Sequence, residues 1–280
     1  MDIPRRDLEL ALDPMTVPRD WCHADAYHTT FMNALSLLFP EGEKFFVDAV
    51  KQQKSKITDP ALLKQVAGFI GQEAMHGKEH RAFNELLVAH GFTSAPGVDR
   101  RLRGFLKLVR RTLSPMSQLA ATCALEHFTA MLAEQLLSDE RVREELHVSV
   151  RPLWLWHALE ESEHKAVAFD VYRAAGGGYA RRVAIMLLTT VVFFAAQALA
   201  HGRMMSDRKI VWKPWTWLRG MRRMWIWPGY FIRLLPAYLS YFRPGFHPDD
   251  RDTRTLLATW REVLFGEQGA LRDRVRLIAS

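Results

Sequence analysis

The chain lacks most of the patterns on which common enzyme classes are built. It has two cysteines, Cys22 and Cys123, in 280 residues. That is too few for a disulfide framework, and they do not form a Cys-x-x-Cys metal spacing, so a reducing cytoplasm is the expected compartment. The first residues, Met-Asp-Ile-Pro-Arg-Arg, carry no apolar run of the signal-peptide kind, and export is not expected. No Gly-x-Ser-x-Gly elbow, Walker-type phosphate loop or Gly-x-Gly-x-x-Gly fingerprint occurs, which removes the usual serine-hydrolase, P-loop and dinucleotide schemes. His76 and His80 have the spacing of a zincin pair, but Gly77 stands where that motif needs a glutamate. Strand-like alternation is scarce, and there is neither a short-period repeat nor a low-complexity tract.

A hydrophobic content of 49% is ample for a packed core. The formal charge of +7 is concentrated in two places. One group is Arg100, Arg101, Arg103, Lys107, Arg110 and Arg111. The other is Arg203, Arg208, Lys209, Lys213, Arg219, Arg222 and Arg223, interleaved with Trp212, Trp215, Trp217, Trp225 and Trp227. Cations alternating with indoles fit a lipid headgroup region better than DNA, so a membrane surface is the expected partner and nucleic acid is not.

Apolar periodicity and capping signals predict an all-α protein. An irregular arm over residues 1–24 precedes a four-helix core over 25–178. Helices are expected at 25–57, kinked or split by Pro40, at 60–90 behind the Asp59-Pro60 cap, at 115–137 behind Ser114-Pro115, and at 150–175. A basic amphipathic helix is expected at 99–112, and three consecutive glycines at 176–178 mark the end of the core. Residues 179–280 form a C-terminal apolar and Trp/Arg-rich helical region. Within it, 183–200 is an eighteen-residue run without charge, at the lower edge of the roughly 20 residues that span a bilayer. A core helix buried on all sides is the reading put first for this run, ahead of a span or a monotopic hairpin with the Trp-rich segment. A last amphipathic helix is expected at 252–265.

Two Glu-x-x-His pairs, Glu73-Ala-Met-His76 and Glu161-Ser-Glu-His164, lie within these helices, with Glu43 before the first and Glu126 between them. Residues i and i+3 are separated by about 60 degrees around a helix axis, so each pair can close on one ion. Two such pairs with a lone carboxylate from each of two further helices is the ligand order of a dinuclear four-helix bundle. His157 shares the stripe of Glu161 and His164. A lone Glu or His in a helix is more often solvent-facing or structural, and the weight here rests on the joint pattern. Glu41 competes with Glu43, which is preferred because it lies a turn past Pro40 beside Phe45 and Phe46. Glu160 competes with Glu161, which spacing from His164 favours. His80, His127 and Glu160 are candidates for outer positions that orient the ligands, and Cys123 reads as core packing.

The runs Phe39-Pro40-Glu41-Gly42-Glu43, Gln72-Glu73-Ala74-Met75-His76-Gly77-Lys78-Glu79-His80, Leu125-Glu126-His127-Phe128-Thr129-Ala130 and His157-Ala158-Leu159-Glu160-Glu161-Ser162-Glu163-His164-Lys165 resemble the ferritin-like di-metal carboxylate superfamily. More narrowly, they resemble the bacterial family labelled predicted metal-dependent hydrolase. The His-x-x-x-Glu-x-x-His run also resembles the last ligand helix of di-iron arylamine N-oxygenases. The resemblance covers most of residues 25–175. It implies metal ligands Glu43, Glu73, His76, Glu126, His157, Glu161 and His164, two of the glutamates bridging two ions.

Mixed carboxylate and imidazole ligands suit iron first, with manganese or zinc as alternatives. The expected function is a non-haem di-iron oxygenase or oxidase acting on an apolar, aromatic or lipid-like substrate and supplied by an electron donor. The alternative is a hydrolase using a dinuclear metal-bound water. Metal storage, or a membrane-associated scaffold, ranks below both. A homodimer is open, and the expected location is cytoplasmic, at or anchored in the inner membrane.

Overall fold

The structure is a computed structural model that describes residues 3–10, 12–226 and 228–278; Trp227 of the basic Trp-rich stretch lies outside the described residues. It is an all-α helical bundle. In chain order the elements are β1 Arg5–Leu8, α1 Ala26–Lys51, α2 Pro60–Ala89, α3 Ala95–Thr112, α4 Pro115–Ser138, α5 Glu140–Glu144, α6 Arg151–His164, α7 Val167–Ala174, α8 Tyr179–Asp207, α9 Pro214–Trp225, α10 Tyr230–Ser240, α11 Arg254–Phe265 and β2 Val275–Ile278. Helices α1, α2, α4 and α6 surround the centre, and α8 packs along α1 and α4.

Asp25, Asp59 and Ser114 each cap a helix by accepting a hydrogen bond from a first-turn N–H, and Pro60 and Pro115 supply the N1 residues of α2 and α4. Pro40 does not split α1: the helix is continuous through it. A proline here leaves the carbonyl four residues earlier without its helical donor. That carbonyl belongs to Ser36, and the Asn84 side-chain amide of α2 donates to it at 3.2 Å. The expected single helix at 150–175 is instead two, α6 and α7, separated at Lys165–Ala166. The break coincides with the Lys165 ammonium reaching the Arg251 carbonyl at 2.7 Å and the Thr253 hydroxyl at 3.1 Å.

The amino-terminal segment is more ordered than the irregular arm expected for it. β1 pairs antiparallel with β2, Arg5 opposite Ile278 and Leu8 opposite Val275. The arm crosses α2 at Gly68, where a Cβ would stand 2.5 Å from the Ile3 carbonyl oxygen. This contact carries Arg6 to the buried end of α6, 2.8 Å from both Glu160 and Glu163.

Two apolar clusters flank the centre. One contains Trp21, Phe83, Trp154 and Trp156, the other Phe45, Phe69, Phe169 and Tyr172. Along α2 the polar residues Glu73 and His76 fall between Phe69 and Phe83, so the charged groups are sealed by packed side chains above and below.

The 183–200 run is not buried on all sides. The face of α8 turned to the core carries Arg182, Thr189, Gln197 and His201, while Leu187, Leu188, Val191 and Leu199 face outward. Gln197 donates to the Phe31 carbonyl at 2.9 Å, and His201 donates through Nε2 to the Tyr27 carbonyl at 3.2 Å.

Because the arm lies directly on Gly68, the Gly68→Val variant is expected to displace it and to cost about 1–3 kcal/mol through overpacking. A lowered thermal midpoint together with faster proteolysis near residue 10 is the expected result. An unchanged midpoint would show that the arm contributes nothing to the fold.

Candidate metal centre

Glu43 of α1, Glu73 and His76 of α2, Glu126 of α4 and His157, Glu161 and His164 of α6 are all buried and meet in one place. They form two trios. Glu43, His76 and His157 offer ligand atoms within 4.8 Å of one another, as do Glu73, Glu161 and His164. Glu161 touches both: its Oε1 lies 2.9 Å from His157 Nε2 and 3.4 Å from His76 Nδ1, and its Oε2 lies 3.6 Å from His164 Nε2. Glu73 and Glu126 approach His164 Nε2 at 3.2 and 3.5 Å. Gly77 matters here, because a Cβ at that position would sit 3.3 Å from Glu43 Oε2. The glycine leaves room for the carboxylate arriving from α1.

The surrounding hydrogen bonds fix which nitrogen of each imidazole is turned toward the centre. Gln72 donates its amide to the Pro4 carbonyl at 3.0 Å and to Glu163 at 2.8 Å, so its Oε1 accepts from His164 Nδ1–H at 2.9 Å and leaves His164 Nε2 turned inward. His76 Nε2–H donates to Glu160 at 3.1 Å, leaving Nδ1 inward. A longer relay orients His157. The Ser36 hydroxyl donates to Asn84 Oδ1 at 2.8 Å and accepts from His80 Nδ1–H at 2.8 Å; His80 Nε2 then accepts from His157 Nδ1–H at 2.6 Å. In all three histidines the nitrogen not engaged by these outer partners faces the carboxylates.

Most of these ligand atoms are also buried without a hydrogen-bond partner. Both oxygens of Glu43, Glu73 and Glu126, Oε2 of Glu161, Nδ1 of His76 and Nε2 of His164 have none. Such a cluster is costly unless cations satisfy it, and its oxygen and imidazole donors fit two divalent ions. Electrostatics agree. Burial, then mutual repulsion with Glu73, pushes Glu43 well above the usual carboxylate range, and burial likewise raises Glu73 and Glu126. For Glu161, burial is outweighed by the charge of His164 and by the close approach of His157, His164 and His76, which hold it well below that range. Burial opposes charge on His76, yet Glu160 and Glu161 lift it to about 10. Burial and the neighbouring His76 depress His157 to about 4.

The outer candidates separate. His80 lies behind His157 as the relay partner, and Glu160 lies behind His76 while pairing with Arg6 at 2.8 Å. His127, expected among the orienting groups, is turned away: Nε2–H donates to the Ala237 carbonyl at 3.0 Å and the ring packs on Tyr241 and Phe246. One position along α4 from Glu126 rotates a side chain by about 100 degrees, which takes it out of the centre. Cys123 packs in the core, its thiol on the Ala168 carbonyl at 3.3 Å. Glu41 is at the surface, 3.2 Å from Arg103. Sequence reasoning did not assign Arg6, Ser36, Gln72, Asn84 or Glu163. Glu163 is held by Arg6 at 2.8 Å and Arg261 at 2.6 Å, and nothing in the local pattern of the arm points to Arg6.

Two cavities reach the centre. One of about 140 Å³ is lined by His157 and Glu161 together with Phe39, Trp154, Leu132 and Phe193. The other, about 330 Å³, meets Glu43 and runs outward between α3 and α8; apart from Glu43 its only polar side chains are Thr112, Thr129 and Thr189. Trp154 thus lines a cavity, whereas Trp156, Phe169 and Tyr172 fill the core.

Bundle and donor set together define a helical protein with a candidate dinuclear metal centre. Residues 4–252 match the family described as predicted metal-dependent hydrolase, and the chain belongs to that family. No curated protein and no solved structure matches the chain.

Two predictions follow from the ligand shell and its supports. Ser36→Ala is expected to weaken binding at the Glu43–His76–His157 position about 10–100-fold, and Gln72→Leu at the Glu73–Glu161–His164 position by a similar factor. Chelator competition reads both; equal affinities in wild type and variants would contradict the relay. Because His76 holds a proton up to about pH 10 in the metal-free protein, metal uptake at neutral pH must displace it, and affinity should rise with pH until that value. Calorimetry in buffers of different ionisation enthalpy is expected to show proton release, and identical heats would refute it.

Proposed function

We propose that the chain is a dinuclear metal enzyme acting on an apolar, lipid-like substrate, with Glu43, Glu73, His76, Glu126, His157, Glu161 and His164 as ligands. The observation that carries the substrate class is the apolar cavity of about 330 Å³ ending at Glu43, since a cavity lined this way selects by shape and desolvation rather than by charge. Glu161, whose two oxygens reach both trios, would be the bridging carboxylate. Bound there, a metal pair would supply Lewis acidity toward a water and an acyl or phosphoryl oxygen, or, as iron, reducing equivalents for dioxygen.

Hydrolysis is the first reading, because the family description supports it. Glu160 and His80 would keep the imidazoles in their ligating tautomers, and Phe39, packed at a tilt against both His80 and His157 with ring centroids at 4.7 and 4.6 Å, covers that side. Oxidation with dioxygen at iron is a second reading. It is favoured by the absence of any charged side chain other than Glu43 from the larger cavity's lining, which suits an unfunctionalised hydrocarbon better than a polar leaving group.

The deciding experiment loads metal-free protein anaerobically with iron, manganese or zinc. Cleavage of a p-nitrophenyl ester of a medium-chain fatty acid without oxygen, lost in Glu43→Gln, is the result expected for hydrolysis. Dioxygen uptake stoichiometric with iron, with no ester cleavage, selects oxidation. Neither activity, with two ions bound, would contradict both.

A further inference from the structure

We propose that the face built from α8, α9 and the exposed side of α3 docks onto an anionic lipid surface, and that the larger cavity opens into that surface. The first observation is the inverted polarity of α8. Over its apolar stretch the residues facing solvent are Ala184, Leu187, Leu188, Val191, Ala195, Ala198 and Leu199, with Val191 at 68% and Leu199 at 74% exposure. They fall within about 60 degrees of one line along the helix. The polar Thr189, Gln197 and His201 point into the protein instead. A helix facing water has the opposite arrangement, and a continuous aliphatic stripe of this kind marks an interaction surface. Gln197 and His201 on its inner face are bonded to α1, which favours an aliphatic stripe lying on a bilayer over a helix crossing one.

The neighbouring helices extend the stripe with residues of interfacial chemistry. Trp212 and Trp215 are 90% and 71% exposed, and Leu218 and Trp225 are exposed on the same helix as Arg219 and Arg222. Trp225 stacks on Phe231, centroids 4.5 Å apart, and meets Phe194 of α8 at 5.5 Å, which joins α9 and α10 to the α8 face. On the other side Phe105 and Leu108 of α3 are exposed between Arg101 and Arg111. Indole rings and guanidinium groups around an aliphatic strip are the composition that settles at the headgroup boundary.

Charge selects the occupant. From Ala180 to Ile226 the chain carries nine arginines and lysines and a single acid, Asp207; Arg182 is buried, Arg208 pairs with Asp20 and Arg223 with Glu145, which leaves Arg181, Arg203, Lys209, Lys213, Arg219 and Arg222 against Asp207, itself bonded to Thr93 and Ser94. A second copy seated on this face would set cation against cation, whereas anionic headgroups complement it. The mouth of the larger cavity lies in the same face, since Phe105 and Leu188 belong to its wall and are exposed. On the functional reading above, a substrate dissolved in lipid would reach Glu43 without passing through water.

Flotation of the full chain with vesicles free of any substrate tests docking independently of that reading. Vesicles of phosphatidylcholine with an equal share of phosphatidylglycerol should carry wild type upward, and phosphatidylcholine alone should carry at least about tenfold less. The double variants Leu188→Glu/Val191→Glu and Arg219→Glu/Arg222→Glu, whose side chains are outside the core, should each lower binding at least about tenfold with an unchanged circular dichroism spectrum. Wild type that stays at the bottom of the gradient with the anionic vesicles overturns the proposal, as does undiminished flotation of both variants. So does a wild-type dimer that Leu188→Glu/Val191→Glu converts to monomer, because a second copy would then be the occupant.

Discussion

Four carboxylates converge in a space from which water is excluded, and nearly everything around them is arranged to make that tolerable. Unpaired, such charges cost several kcal/mol each on burial; two divalent ions would balance four of them. Protons are the substitute in the metal-free protein, which is why Glu43, Glu73 and Glu126 are pushed up while Glu161, facing three imidazoles, is held down. The fold thus presents a donor set whose charge matches its proposed occupants.

Rigid support is the second requirement. Each imidazole has one nitrogen committed to an outer partner, and those partners are themselves fixed: Glu160 by Arg6, Gln72 by Pro4 and Glu163, His80 by Ser36 and Asn84. Asn84 has two duties, because it also accepts the hydroxyl of the residue whose carbonyl it satisfies beside Pro40. Continuity of α1 through a proline and orientation of His157 therefore depend on the same amide. The amino-terminal arm enters this shell from outside the bundle, held against α2 by the close approach at Gly68.

What was legible in the sequence follows from the range of the interactions. Helix periodicity and caps are local, so α2 and α4 come out within a residue of the observed ends. The i, i+3 and i, i+4 spacings within one helix singled out Glu73 with His76 and His157 with Glu161 and His164 as groups that the structure brings together. The structure turns Glu43 and Glu161 into the two trios, while Glu41 meets Arg103 and Glu160 meets Arg6, since a one- or two-residue step along a helix turns a side chain to another face. Arg6, Asn84 and Gln72 were not assigned, since each acts on a residue of a different helix and no local pattern encodes that. The α8 run misled for a related reason: a hydropathy count sees eighteen uncharged residues, whereas burial follows the few polar ones that find partners on α1.

The most direct test of the dinuclear centre is a crystal structure of metal-loaded protein with anomalous scattering measured at the metal edge. Two peaks are predicted, one among Glu43, His76 and His157 and the other among Glu73, Glu126, Glu161 and His164, with Glu161 bonded to both. A single peak, or ions bound away from these seven side chains, would contradict the account.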